Sequence, residues 1–170
     1  MFFSSKSYGI AVGVMAVAVS VNGYAAVGKT QTTSFTAQTN VVDQCNAVTA
    51  TAMTFPTYTP DDATASAAQS TITVACTKNS LVSISLDKGT TGASTSARKM
   101  KNANGSTLDY GLYSDSSRTT NWDDTGGKVS FNGLGLGTPV SKTVYGKIPV
   151  SQLDTEPGNY SDTITVTVGY

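Results

Sequence analysis

The chain has 170 residues, a length suited to one domain. Charged residues make up only 13% of it, with 11 cations balanced by 11 anions, and there is no histidine. Thr (27) and Ser (20) together exceed a quarter of the chain, while Glu156 is the sole glutamate, a composition that excludes a helical bundle or coiled coil. Balanced charge leaves no basic face to neutralise phosphates, so nucleic acid is not an expected partner. Without histidine the commonest general base and the commonest zinc ligand are missing, so no enzyme, metal site or cofactor site is expected.

Residues 1–25 read as a secretory signal peptide. Lys6 supplies the cation of its first part, and residues 10–21 (IAVGVMAVAVSV) form an apolar run of 12, too short to span a bilayer. Gly23 and Ala25 are the small residues of a cleavage site that lies between Ala25 and Ala26. Export places Cys45 and Cys76 in an oxidising compartment. They allow one intramolecular pairing and form no C-x-x-C motif, so a structural disulfide is expected. Closing a loop of this size is worth roughly 3–4 kcal/mol in the chain-entropy model.

Residues 26–44 form an N-terminal extension in which Phe35, Ala37, Thr39 and Val41 fall on alternate positions and share one face of an extended segment. Residues 45–170 read as a single domain. Strands are expected at 70–76 (STITVAC), Leu81–Leu86 (LVSISL), 108–113 (LDYGLY), 129–131 and 142–148 (KTVYGKI). The strongest is the last, 160–170 (YSDTITVTVGY). There Ile164, Val166, Val168 and Tyr170 face one way and Thr163, Thr165 and Thr167 the other, as on an antiparallel sheet with one buried face. Stretches rich in Gly, Asn, Ser, Asp and Pro separate these runs. Some seven short strands at this spacing predict an immunoglobulin-type Greek-key sandwich. The closing strand is left with an unpaired edge and the extension with no partner. A solitary sandwich gains nothing from either, whereas a polymer could seat one subunit's spare strand on the next one's open edge.

Several residues invite chemistry but have plainer readings. The doublets Asp61-Asp62 and Asp123-Asp124 sit among turn residues, where Asp caps and bends the chain, rather than forming a glycosidase pair. Asp115, Asp123 and Asp124 do not have the spacing of a calcium loop. Trp122 is expected to pack at the sandwich edge rather than to stack on a glycan. Residues 133–137 (GLGLG) lack the strand–glycine–helix context of a phosphate loop. For Arg98 and Lys99 a surface position and a partner's carboxylate both stay open.

Taken together, several blocks resemble the spore coat protein U domain family, which includes the subunits of archaic, Csu-type chaperone–usher pili. The blocks are 35–45 (FTAQTNVVDQC), 55–60 (FPTYTP), 70–77 (STITVACT), 84–89 (ISLDKG) and 98–102 (RKMKN). They continue through 108–114 (LDYGLYS), 115–122 (DSSRTTNW) and 143–149 (TVYGKIP) to 158–170 (GNYSDTITVTVGY). The resemblance implies an all-β, incomplete immunoglobulin-like sandwich, completed by a donor strand from a partner. It implies a pilus subunit exported through the periplasm to the cell surface, serving attachment and biofilm formation. Its partners would be a periplasmic chaperone, an outer-membrane usher and other pilin subunits. On this resemblance Phe35, Ala37, Thr39 and Val41 are the inserting residues of the donor strand, and Ile164, Val166, Val168 and Tyr170 line the acceptor groove. Ala37 and Thr39 stand where the family usually carries larger aliphatics, and Pro56 where it often has glycine. The alternative is a secreted monomeric β-sandwich of a coat or capsule, its extension folded back on its own edge.

Overall fold

The computed structural model describes residues 28–170, so the signal peptide and the cleavage site at Ala25 and Ala26 expected from the sequence lie outside the described residues. Residues 28–39 carry no regular secondary structure and are exposed. Asn40–Tyr170 forms a separate unit, all-β among the described residues. Its strands are β1 (Cys45–Ala50), β2 (Ser66–Cys76), β3 (Leu81–Leu86), β4 (Arg98–Lys101), β5 (Thr107–Tyr113), β6 (Val129–Asn132), β7 (Val140–Ile148) and β8 (Val166–Gly169). They build two antiparallel sheets, ordered β1-β2-β7-β5-β4 and β6-β3-β8. This is an incomplete immunoglobulin-like sandwich: β8 pairs with β3 on one side only and ends its sheet.

Period-two alternation explains the core. Ile72, Val74 and Cys76 of β2, Val82, Ile84 and Leu86 of β3, Leu108, Tyr110 and Leu112 of β5, and Val144 and Ile148 of β7 point inward and are buried. The β2–β7 ladder is the longest, running from Ser66↔Ile148 to Val74↔Val140, and it sets the long axis of the sandwich. At one end of that axis the Cys45–Cys76 disulfide staples β1 to β2.

The structure adds two strands that the sequence pattern did not announce. β1 is solvent-exposed along nearly all its length, so it carries no apolar alternation. β4 reads RKMK, yet Arg98 and Met100 are its buried side. The closing strand is shorter than expected because residues 160–165 pair in pieces. Ser161 exchanges backbone bonds with Lys101 at 3.0 and 3.1 Å, and Asp87 donates its amide to Thr165 O at 3.2 Å. Between these points, carboxylates rather than a neighbouring strand take the amides of Thr163 and Thr165.

Trp122 corrects an expectation. It does not lie at the sandwich edge but is wholly buried in the core, its indole N–H donating to Ile84 O at 3.0 Å. Arg98 is buried as completely. Its guanidinium donates to four main-chain carbonyls, those of Asp87 (2.8 Å), Thr95 (2.7 Å), Leu86 (3.1 Å) and Trp122 (2.7 Å). Lys99 remains on the outer side and pairs with Asp109.

Candidate assembly groove

The free edge of β8 borders a cavity of about 880 Å³ between the two sheets. Its floor is core: Ile72, Leu86, Leu108, Leu112, Val144 and Ile148. Ile164 and Val166 form one rim. The other rim is the irregular segment after β1, where Met53, Phe55 and Tyr58 face inward. Such an opening leaves apolar side chains partly wet in a domain of this size, which costs about 25 cal/mol for each Å² left uncovered.

Local chemistry holds both rims. On the Met53 side, Gly146 of β7 leaves a slot for the rim: a Cβ there would collide with the Met53 sulfur and come within 2.7 Å of Phe55 Cζ. The Tyr58 hydroxyl donates to Pro149 O at 3.1 Å and accepts from the Gln152 amide at 3.2 Å. On the β8 side, Asp162 accepts from the Tyr110 hydroxyl (2.7 Å) and from the amide and hydroxyl of Thr90 (2.9 and 2.6 Å). Gly89 makes this latch possible. Its φ of +77° favours glycine, and any Cβ would overlap the Asp162 carboxylate. Burial, aided by the Asp162 contact, pushes the Tyr110 hydroxyl far above its ordinary pKa, so it stays a proton donor. Burial also works to raise Asp87, but hydrogen bonds from Thr165 and Gly89 and the charge of Arg98 outweigh it and leave its pKa lowered.

Of the four acceptor residues expected from the sequence, Ile164 and Val166 line the cavity. Val168 packs on the core beyond it, and Tyr170 is exposed. The expected donor residues are also exposed: Phe35 at 91%, Val41 at 78%, with Ala37 and Thr39 between them. Cys45 and Cys76 form the disulfide. Sequence reasoning missed the second rim. Met53, Phe55 and Tyr58 lie in a stretch without strand periodicity, and the only available signal was their spacing, apolar groups separated by single or paired Thr and Pro. The aspartates of the turns act as caps. Asp115 accepts from the amides of Thr119 and Thr120, and Asp123 from those of Thr125 and Gly127.

The family model described as Spore Coat Protein U domain matches residues 31–167. The chain belongs to that family. Protein U of Myxococcus xanthus is 38% identical over 105 residues, which is 58% of this chain and 58% of that protein, so the chain spans little more than half of its relative. Among solved structures, the chaperone–tip adhesion subunit pre-assembly complex from the archaic chaperone–usher Csu pili of Acinetobacter baumannii is similar, with a TM-score of 0.58 and 24% identity. The match covers 76% of this chain and 40% of the other. That likeness establishes a shared fold for this Spore Coat Protein U domain.

Proposed function

We propose that this Spore Coat Protein U domain is a structural subunit of a surface pilus, assembled by the chaperone–usher route through donor-strand exchange and serving attachment and biofilm formation. The observation that carries the reading is the β8 edge, unpartnered among the described residues, beside an 880 Å³ opening with an apolar floor, in a chain that also owns an exposed segment with alternating Phe35, Ala37, Thr39 and Val41. A periplasmic chaperone lends a strand to the opening during export, and at the outer-membrane usher the extension of the next subunit takes its place. The similar chain in the Csu complex is itself described with a chaperone, which supports that order of events. Phe35 and Val41 supply most of the side-chain affinity, about 1.5–3 kcal/mol each when fully buried. Main-chain bonds along β8 supply the rest, each modest in net worth.

Phe35→Glu tests this. The variant is expected to bind the chaperone in a one-to-one complex while self-assembly fails, because capture uses only the opening. Fibres of normal length from the variant would remove Phe35 from the donor strand.

The description of the family as a spore coat domain favours a second reading, a secreted coat component that stays monomeric with its extension on its own edge. In that case dilution leaves β8 protected from hydrogen exchange. In the pilus reading, protection of β8 appears only on assembly or chaperone binding.

A further inference from the structure

The two ends of the sandwich are chemically unlike. At the disulfide end, the Gly135 amide donates to Cys76 O at 3.0 Å and the Gly133 amide to Ser80 O at 2.9 Å, which holds Leu134 and Leu136 beside Leu81. Ser80 also donates its hydroxyl to Asp43, so Val42 joins the same end. All four aliphatics are exposed, Leu81 by 70% and Leu134 by 56%. Lys78 stands in the loop between them. At the opposite end, beyond Ile148, Val150 and Leu153 are exposed, Leu153 by 69%. The segments around them, 51–65 and 149–162, contain Asp61, Asp62, Asp154, Glu156 and Asp162 but neither lysine nor arginine. Asp43 stands beside Lys78 at the first end and Lys101, bonded to Ser161, stands at the second, so both ends expose aliphatic surface and carboxylates outnumber cations only at the second.

Given strand exchange, on which this end contact rests, chain length forces the two ends together. Val41 lies four residues before Cys45, at most about 14 Å of extended chain. Asp43 and Gln44 are already tied to their own body, Asp43 through Ser80 and Gln44 through Thr77. A Val41 seated in a neighbour's groove therefore brings the two bodies into contact. All six strand pairings are antiparallel, and β8 runs from the acidic end toward the disulfide end. A strand laid antiparallel on β8 finishes at the acidic end of its acceptor. We infer that the disulfide end of each subunit docks on the acidic end of the next. In this head-to-tail contact Val42, Leu81, Leu134 and Leu136 cover Val150 and Leu153, and Lys78 faces Asp154 and Glu156. Such a contact is heterologous, uses two different patches of one chain and propagates without closing. It stiffens a thread that would otherwise bend freely at every connector.

Paired cysteines test the contact in the full-length exported chain. Both native cysteines are taken up in the Cys45–Cys76 bond, so Leu134→Cys and Leu153→Cys together supply the only new thiols among the described residues. After oxidation, the double variant is expected to give a ladder that survives boiling in detergent and collapses on reduction, while each single variant stops at dimers. A ladder that forms but collapses on boiling without reductant overturns the end contact and leaves strand exchange standing. No ladder from the unmodified chain overturns strand exchange and this contact with it. A second set needs no engineered thiol. Lys78→Glu is expected to shorten fibres about two- to fivefold, the reach of one exposed ion pair, and Asp154→Lys with Glu156→Lys to restore them. Fibre length unchanged by Lys78→Glu also contradicts the contact.

Discussion

Arg98 occupies a position usually reserved for an aliphatic side chain, at the heart of the sandwich between β4 and the turn after β3. Its charge faces no carboxylate at hydrogen-bond range. Four carbonyl dipoles surround it instead, so it ties the end of β3, the 87–97 loop and Trp122 into one body. Arg98→Met keeps the volume but strands those carbonyls, each costing about 1–3 kcal/mol when buried without a partner. Urea unfolding is therefore expected to show a loss of about 3 kcal/mol or more. An unchanged midpoint would mean that the carbonyls find water.

The carboxylates at this scale predict an acid limit. Amide donors from Thr120 and Thr119 hold Asp115 far below the usual carboxylate range, and Gly127 and Thr125 do the same more mildly for Asp123. Asp87 is lowered as well: burial opposes its charge, but Thr165, Gly89 and Arg98 together favour it more strongly. A depressed folded-state pKa contributes stability that is present above the unfolded value, about 3.9, and disappears as pH falls through the folded values. Melting temperature should hold level from pH 7 to about 4.5 and drop below about 4. Asp115→Asn should flatten part of that drop. A transition lost near pH 6 would point to a different titrating group.

Among the elements, those with one wet and one dry face were the legible ones. β3 follows its expected bounds and β5, β6 and β7 lie within two residues of theirs, because alternation is written directly in Val82-Ile84-Leu86 or Leu108-Tyr110-Leu112. β1 was invisible because its faces do not differ, and β4 because a buried arginine looks like a surface one. The first rim of the groove was legible in Ile164 and Val166. The second, Met53 to Tyr58, was not, because it is held by a slot over Gly146 and by a tyrosine hydroxyl, and neither leaves a period in the sequence. Gly146→Leu therefore tests the element directly. Filling the slot must displace Met53 and Phe55, at a cost of about 1–3 kcal/mol for overpacking. The expected result is a lower melting temperature together with weaker chaperone capture. A variant as stable and as well captured as the parent would show that the second rim is not part of the groove.

For the whole molecule, the scarcity of charge and the excess of threonine acquire a structural use. Thr163, Thr165 and Thr167 form the wet side of the closing strand, opposite Ile164, Val166 and Val168. One disulfide closes the end from which the extension leaves. The open edge of β8, beside the cavity, is an aggregation liability in a monomer and an assembly site in a polymer. The most direct measurement is electrophoresis of the exported, full-length chain in detergent with and without boiling. Donor-strand exchange predicts a ladder of regularly spaced multimers before boiling that falls to a single monomer band afterwards, since each inserted strand completes a core and releases only when that core unfolds. A single monomer band in both lanes, from material whose β8 edge is already protected, would contradict it.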